Sequence, residues 1–159
     1  MPVQAKPATD RRSLRFESLQ EALDDADEMA VRPHHMLGRW SLGQVCEHLA
    51  RTIDASIDGF DSSWPRIVQV AVGPFARRLI LHNALPAGFQ IPASMRDQLV
   101  PGDVDTADAL DRFARSIART RKSRCEQPHP VFGPMNHGEW MQLHCRHAEL
   151  HLSFAVRSY

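Results

Sequence analysis

Four stretches of the chain repeat apolar residues at three- and four-residue spacing, and each carries a helix start signal. The first opens at Ser18 with Glu21 three residues on, a capping-box pattern, and then places Leu19, Ala22, Leu23, Ala26, Met29 and Ala30 on one stripe that stops before Pro33. The second opens at Ser41 with Gln44 and carries Leu42, Val45, Leu49, Ile53, Ile57 and Phe60 towards Ser62. The third begins near Thr106 and buries Leu110, Phe113, Ala114 and Ile117. The fourth opens at Asn136 with Glu139 and packs through Trp140, Leu143, Leu150 and Phe154.

Between the second and third stripes the pattern weakens. Trp64 to His82 is mostly apolar, but Gly73-Pro74 predicts a break, or a new helix with Pro74 in its first turn. Residues 83–105 hold Pro86, Gly88, Pro92, Pro101 and Gly102 and predict a long irregular segment. It serves either as a substrate-covering loop or as a plain crossover. No alternating run reads as a strand. The expected fold class is therefore all-α: a four-helix bundle with a long crossover connection, and extra short helices between the second and third main helices. Residues 1–13 are expected to be a flexible N-terminal tail and residues 14–159 a single domain.

Charge narrows the function classes. Lys plus Arg and Asp plus Glu are 19 each, so the chain has no basic excess for a broad nucleic-acid footprint. Arg115, Arg119, Arg121, Lys122 and Arg124 read as a solvated helix end. No apolar run is long enough to span a membrane. Arg11-Arg12 is followed by no hydrophobic segment, so no secretion signal is expected. Three cysteines, Cys46, Cys125 and Cys145, form no CxxC pair and no disulfide framework, which suits a reducing cytoplasm. Cys46 and Cys145 read as small packing residues.

The candidate chemistry lies in the histidines. His144, His147 and His151 follow one another at three- and four-residue spacing, so they share one face of the fourth helix. Two imidazoles one turn apart can grip one metal ion, and a third from another helix would complete a facial set with open positions. His48, in the second turn of the second helix, stands among the small or mildly polar neighbours Gln44, Val45, Thr52 and Ala55. Spacing alone leaves two readings: metal ligation, or half-buried histidines bonded to backbone and solvent. His129, between Pro128 and Pro130, either reaches over the bundle mouth or fixes the direction of a turn. His34-His35 reads as a solvated pair and Glu47 as a surface charge. Ala148 follows His147 where a zinc protease motif needs Glu, which excludes that mechanism. No GxSxG or P-loop occurs.

These residues resemble the DinB-like superfamily of metal-binding four-helix bundles. The resemblance rests on His48-Leu49 and on the HxxxH pair His147-Ala-Glu-Leu-His151. His129-Pro-Val-Phe-Gly133, Glu139-Trp140, Trp40-Ser-Leu-Gly-Gln44 and Leu85-Pro86 are similar to an uncharacterised branch of it, over residues 14–156. It implies a metal triad of His48, His147 and His151, with His144 and His129 as residues behind the ligands. It implies a divalent transition metal, zinc or nickel first, with iron or copper also compatible. The enzyme reading is a metal-dependent hydrolase or thiol-dependent transferase acting on a small molecule such as a thiol. The alternative is a non-catalytic, metal-stabilised dimerisation or binding module. A cytoplasmic homodimer without nucleic-acid or membrane partners completes the expectation. Leu152-Ser153-Phe154 stands where many members have Arg-Gly-Gln, which weakens the thiol chemistry.

Overall fold

The protein is described by a computed structural model covering residues 10–88 and 90–158, so most of the expected tail, residues 1–9, lies outside the described residues. The chain is mostly helical. In order it forms α1 (Leu19–Ala30), β1 (His34–Met36), α2 (Leu42–Asp58), α3 (Arg66–His82), a 3-10 turn (Ala93–Met95), α4 (Arg96–Leu99), α5 (Thr106–Arg119), α6 (His137–Leu152) and β2 (Ala155–Arg157).

The helix starts follow from their caps. The Ser18 side chain accepts from the Glu21 amide at the head of α1. Full capping boxes, Ser41 with Gln44 and Asn136 with Glu139, open α2 and α6. Asp105 caps α5 through the amides of Ala107 and Asp108. The α2 stripe was expected to run on to Phe60, but the helix ends at Asp58 because Gly59 has a φ of 115°, outside the helical region.

The apolar stripes of α1, α2, α5 and α6 meet in one core that includes Leu23, Met29, Leu49, Ile53, Phe113 and Leu152. α2 packs most extensively on α5, while α1 lies against α6 and α5. Ion pairs edge these contacts. Asp54 of α2 receives Arg112 at 2.9 Å and Arg119 at 3.1 Å from α5. Arg119, expected to be solvated, is 38 % exposed and in addition links the two helices, because Asp54 and Asp58 face it one turn apart. Glu47 also departs from a surface charge. It is buried, 2.7 Å from Arg51 and 3.8 Å from Arg112.

Three further features differ from the sequence expectation. α3 is not short and not broken: its 17 residues run through Gly73 and Pro74. Pro74 leaves the Val70 carbonyl without its helical donor, and Val70 is exposed, so water can bond the freed oxygen. Gly73 lies where the Phe132 carbonyl oxygen would stand 2.7 Å from an added Cβ, so the turn at 129–133 packs directly on the α3 backbone. Secondly, β1 and β2 pair antiparallel, His34 opposite Arg157 and Met36 opposite Ala155. Three-residue strands are too short to show alternation. Here they fasten the end of α6 to the α1–α2 connection. Thirdly, the segment before α1 is anchored from Arg12 onward. Arg12 makes two bonds to Asp25, at 2.7 and 2.8 Å, and a third to the Leu152 carbonyl.

Candidate metal centre

α2 and α6 bring His48, His147 and His151 together, each offering a ring nitrogen within 4.8 Å of the others. His147 Nε2 lies 3.2 Å from His48 Nε2 and 3.0 Å from His151 Nε2. The ring centroids form a near-equilateral triangle, 4.9, 4.8 and 4.7 Å on a side, with planes 79°, 68° and 77° apart. Three rings standing edge-on around one point is the facial arrangement that a tetrahedral or octahedral ion requires. Metal–nitrogen bonds of about 2.0–2.1 Å at tetrahedral angles put ligand nitrogens roughly 3.3 Å apart, which fits the observed separations.

The tautomer of one ring is set by its neighbour. His48 Nδ1 is 2.7 Å from the Leu99 carbonyl, which can only accept, so Nδ1 carries the proton and Nε2 presents a lone pair to the centre. A carbonyl behind the ring is a common partner of metal-ligating histidine. His147 Nε2 either donates a proton to one of its neighbours or, with its proton on Nδ1, turns a further lone pair towards the same point. With a lone pair on each Nε2, the residues fit a divalent ion through three neutral nitrogen donors.

The surroundings keep these imidazoles neutral. Burial pushes His48 down to about 4, against the Leu99 bond and with help from the Arg51 charge. Burial and the neighbouring imidazoles hold His147 and His151 well below the ordinary histidine range. Trp40, immediately before the α2 cap, closes one side. It stacks on His151 at 5.6 Å and 19°, and tilts against His48 at 4.9 Å. His147 and His151 remain partly exposed, so the centre is not sealed.

The other candidate residues sit elsewhere. His144 makes no bond to the three. Its Nε2 meets Ser56 Oγ at 3.0 Å, and since that hydroxyl donates to the Ile53 carbonyl, His144 is the donor. It also stacks on Trp140, so it acts as a core polar residue one turn from the centre. His129 fixes its own turn. Its Nδ1 accepts the amides of Val131 and Phe132, and its ring stacks on Phe132 at 4.2 Å. The cysteines are buried thiols; burial raises Cys46 to about 12, Cys145 to about 11, and Cys125 in the same direction. His34 and His35 lie on β1, apart from the centre. A surface depression of about 310 Å³ over Glu149, Leu150 and Ser153 has none of the three histidines in its lining.

The sequence missed the two groups that surround the centre. The Leu99 carbonyl carries no signal, because every residue has one. Trp40 was legible only as part of the Trp-Ser-Leu-Gly-Gln opening.

Burial also makes an acid-stability prediction. His129 and His144 are each pushed to about 3 from an ordinary 6.5, by desolvation first. Their folded values lie below the unfolded one, so the stability they contribute is present above pH 6.5 and is lost as pH falls towards 3. Within that window each costs roughly 1.4 kcal/mol per pH unit. In chelator, the unfolding free energy from urea titration should fall by several kcal/mol between neutral and mildly acid solution. His144→Gln should flatten that slope; an unchanged slope contradicts the assignment.

A mostly helical protein with a three-histidine centre suited to a metal ion is what fold and site define together. The chain belongs to the family described as Protein of unknown function (DUF1569), whose model matches residues 8–158. No curated protein and no solved structure matches it.

Proposed function

We propose that this protein is a metal-dependent enzyme of the DinB-like kind. In this reading α1, α2, α5 and α6 are the four helices of the bundle, and α3 and α4 belong to its long crossover. His48, His147 and His151 hold a divalent ion, zinc or nickel first, and a small molecule is the substrate of hydrolysis or thiol-dependent transfer. The supporting observation is the convergence of three neutral Nε2 atoms, two of whose separations are 3.0 and 3.2 Å, on a partly exposed point. When bound, a divalent ion supplies Lewis acidity for polarising water or a substrate heteroatom.

The chain's own residues set what that chemistry acts on. Three uncharged ligands leave the full positive charge of an ion at the centre, which favours a thiolate or oxyanion. The Leu99 carbonyl keeps the His48 proton on Nδ1 and so keeps Nε2 available. Trp40 excludes water from one side and presents an apolar wall. A cytoplasmic homodimer belongs to the same proposal on the resemblance alone.

The test is elemental analysis of protein purified without chelator, beside His48→Ala, followed by screening of the loaded protein against thiol and ester substrates. One equivalent of a transition metal, absent from the variant, together with turnover that the variant lacks, is the expected result. Stoichiometric metal without turnover on any substrate would favour the non-catalytic module. No metal at all overturns both.

A further inference from the structure

We infer that the outer face of α3 is a docking surface for an anionic lipid bilayer. Ile67, Val70, Phe75 and Leu79 are 79, 69, 76 and 55 % exposed, and Trp64, two residues before the helix, is 38 % exposed. Val31 is the only other large apolar side chain so exposed among the described residues. At about 100° per residue the four positions, with the exposed Ala71 and Pro74, span roughly half the helix circumference from Val70 round to Leu79, a broad apolar stripe along the outer side. The opposite face is already used, against α6 and the 129–133 turn. A stripe of this kind on an otherwise packed helix marks an interaction surface.

Charge selects the occupant. Residues 62–96 contain Arg66, Arg77, Arg78 and Arg96 and no Asp or Glu, in a chain whose 19 acidic residues balance its 19 basic ones. Arg77 is committed to Glu139 and the Pro134 carbonyl. Arg66 and Arg78 are exposed, stand at the two ends of the stripe, and make no ion pair among the described residues. A second copy laid on this face, parallel or antiparallel, would bring arginine towards arginine with no carboxylate on the face to answer it. An anionic interface answers both features. Apolar side chains enter the headgroup boundary, the arginine stems extend along them, and the guanidinium groups reach phosphate. Trp64 suits the same boundary. At its C-terminal end the stripe runs into a depression of about 260 Å³ lined by Phe75, Arg78, Leu79, His82 and Asn83, which places the Arg78 guanidinium beside the apolar Phe75 and Leu79. No helix among the described residues is long and apolar enough to cross a membrane, so α3 would lie in the plane of the surface. This departs from the expectation of no membrane partner, which rests on the lack of a spanning run, because adsorption needs only an apolar face on a helix lying in the surface.

The experiment is cosedimentation of the full chain with phosphatidylcholine vesicles, with and without roughly one-third phosphatidylglycerol, at low and high salt. The expected result is capture by the anionic vesicles at low salt and little by neutral ones. Arg66→Gln with Arg78→Gln should weaken capture about 30-fold, from the usual contribution of two cations at an anionic surface. Ile67→Gln with Phe75→Gln should weaken it at least as much, with the circular dichroism spectrum unchanged. Two results overturn the inference. One is protein that stays in the supernatant with both vesicle types. The other is a concentration-dependent dimer abolished by Ile67→Gln with Phe75→Gln, which would make the face an interface between copies.

Discussion

His147→Ala is expected to lower divalent-metal affinity by more than about 100-fold, beyond the usual cost of losing an outer-shell partner. His147 is the ring that both others approach, at 3.2 and 3.0 Å, so its loss leaves His48 and His151 as an incomplete pair. Metal bound only by the folded state raises the unfolding temperature, by RT ln(1 + [L]/Kd) in free energy. The wild type should therefore melt higher with added zinc or nickel than in chelator, and His147→Ala should melt at one temperature in both. The side chain is partly exposed, so the variant keeps its core and its helical spectrum. His144→Gln is the control. It removes the imidazole that meets Ser56 yet no member of the three, and the metal-dependent rise should persist. A His147→Ala protein that keeps the rise in full contradicts the centre.

The second large effect is on stability. Arg146 and Glu149 are 3 % and 6 % exposed and lie 2.9 Å apart. Together they clamp the segment ahead of α1: Glu149 Oε1 accepts the Phe16 amide at 2.7 Å, and Arg146 Nη2 donates to the Phe16 carbonyl at 2.6 Å. Arg146 Nε and Nη1 already have no protein partner among the described residues. Glu149→Ala would leave the buried guanidinium without its counter-charge, at a cost of about 3–5 kcal/mol. That is a large part of a typical domain's stability of roughly 5–15 kcal/mol. Urea denaturation should show it. Arg146→Met combined with Glu149→Met should cost less than Glu149→Ala alone, because the lone charge is then gone. Equal losses would assign the effect to packing instead of charge.

Both predictions turn on residues that the sequence presents side by side and the fold separates by role. His144, His147 and His151 share one helical stripe, and only two of them reach His48. The three- and four-residue spacing sets the angle of each ring about the α6 axis. It does not set how far along that axis α2 crosses, and the crossing selects the pair one turn apart. Glu149 lies between the two ligands in sequence and serves the other side of the helix. Arg119 read as a solvated charge because Asp54 and Asp58 belong to a helix about sixty residues away, and Glu47, though paired with Arg51 on its own helix, is buried only because α5 packs over it and adds Arg112.

The sequence by itself determined the local structure: the capped starts of α1, α2 and α6, the apolar stripes that build the core, and the turn-to-turn pairing of His147 with His151. These depend on neighbours within a few residues, and their physics is that of a single helix. The tertiary structure decided the rest. It brought His48 to the pair and set the Leu99 carbonyl behind it. It carried α3 through Gly73-Pro74 and left the outer face of that helix bare. Such outcomes depend on how helices cross and on backbone groups that every residue shares, so no spacing along the chain encodes them.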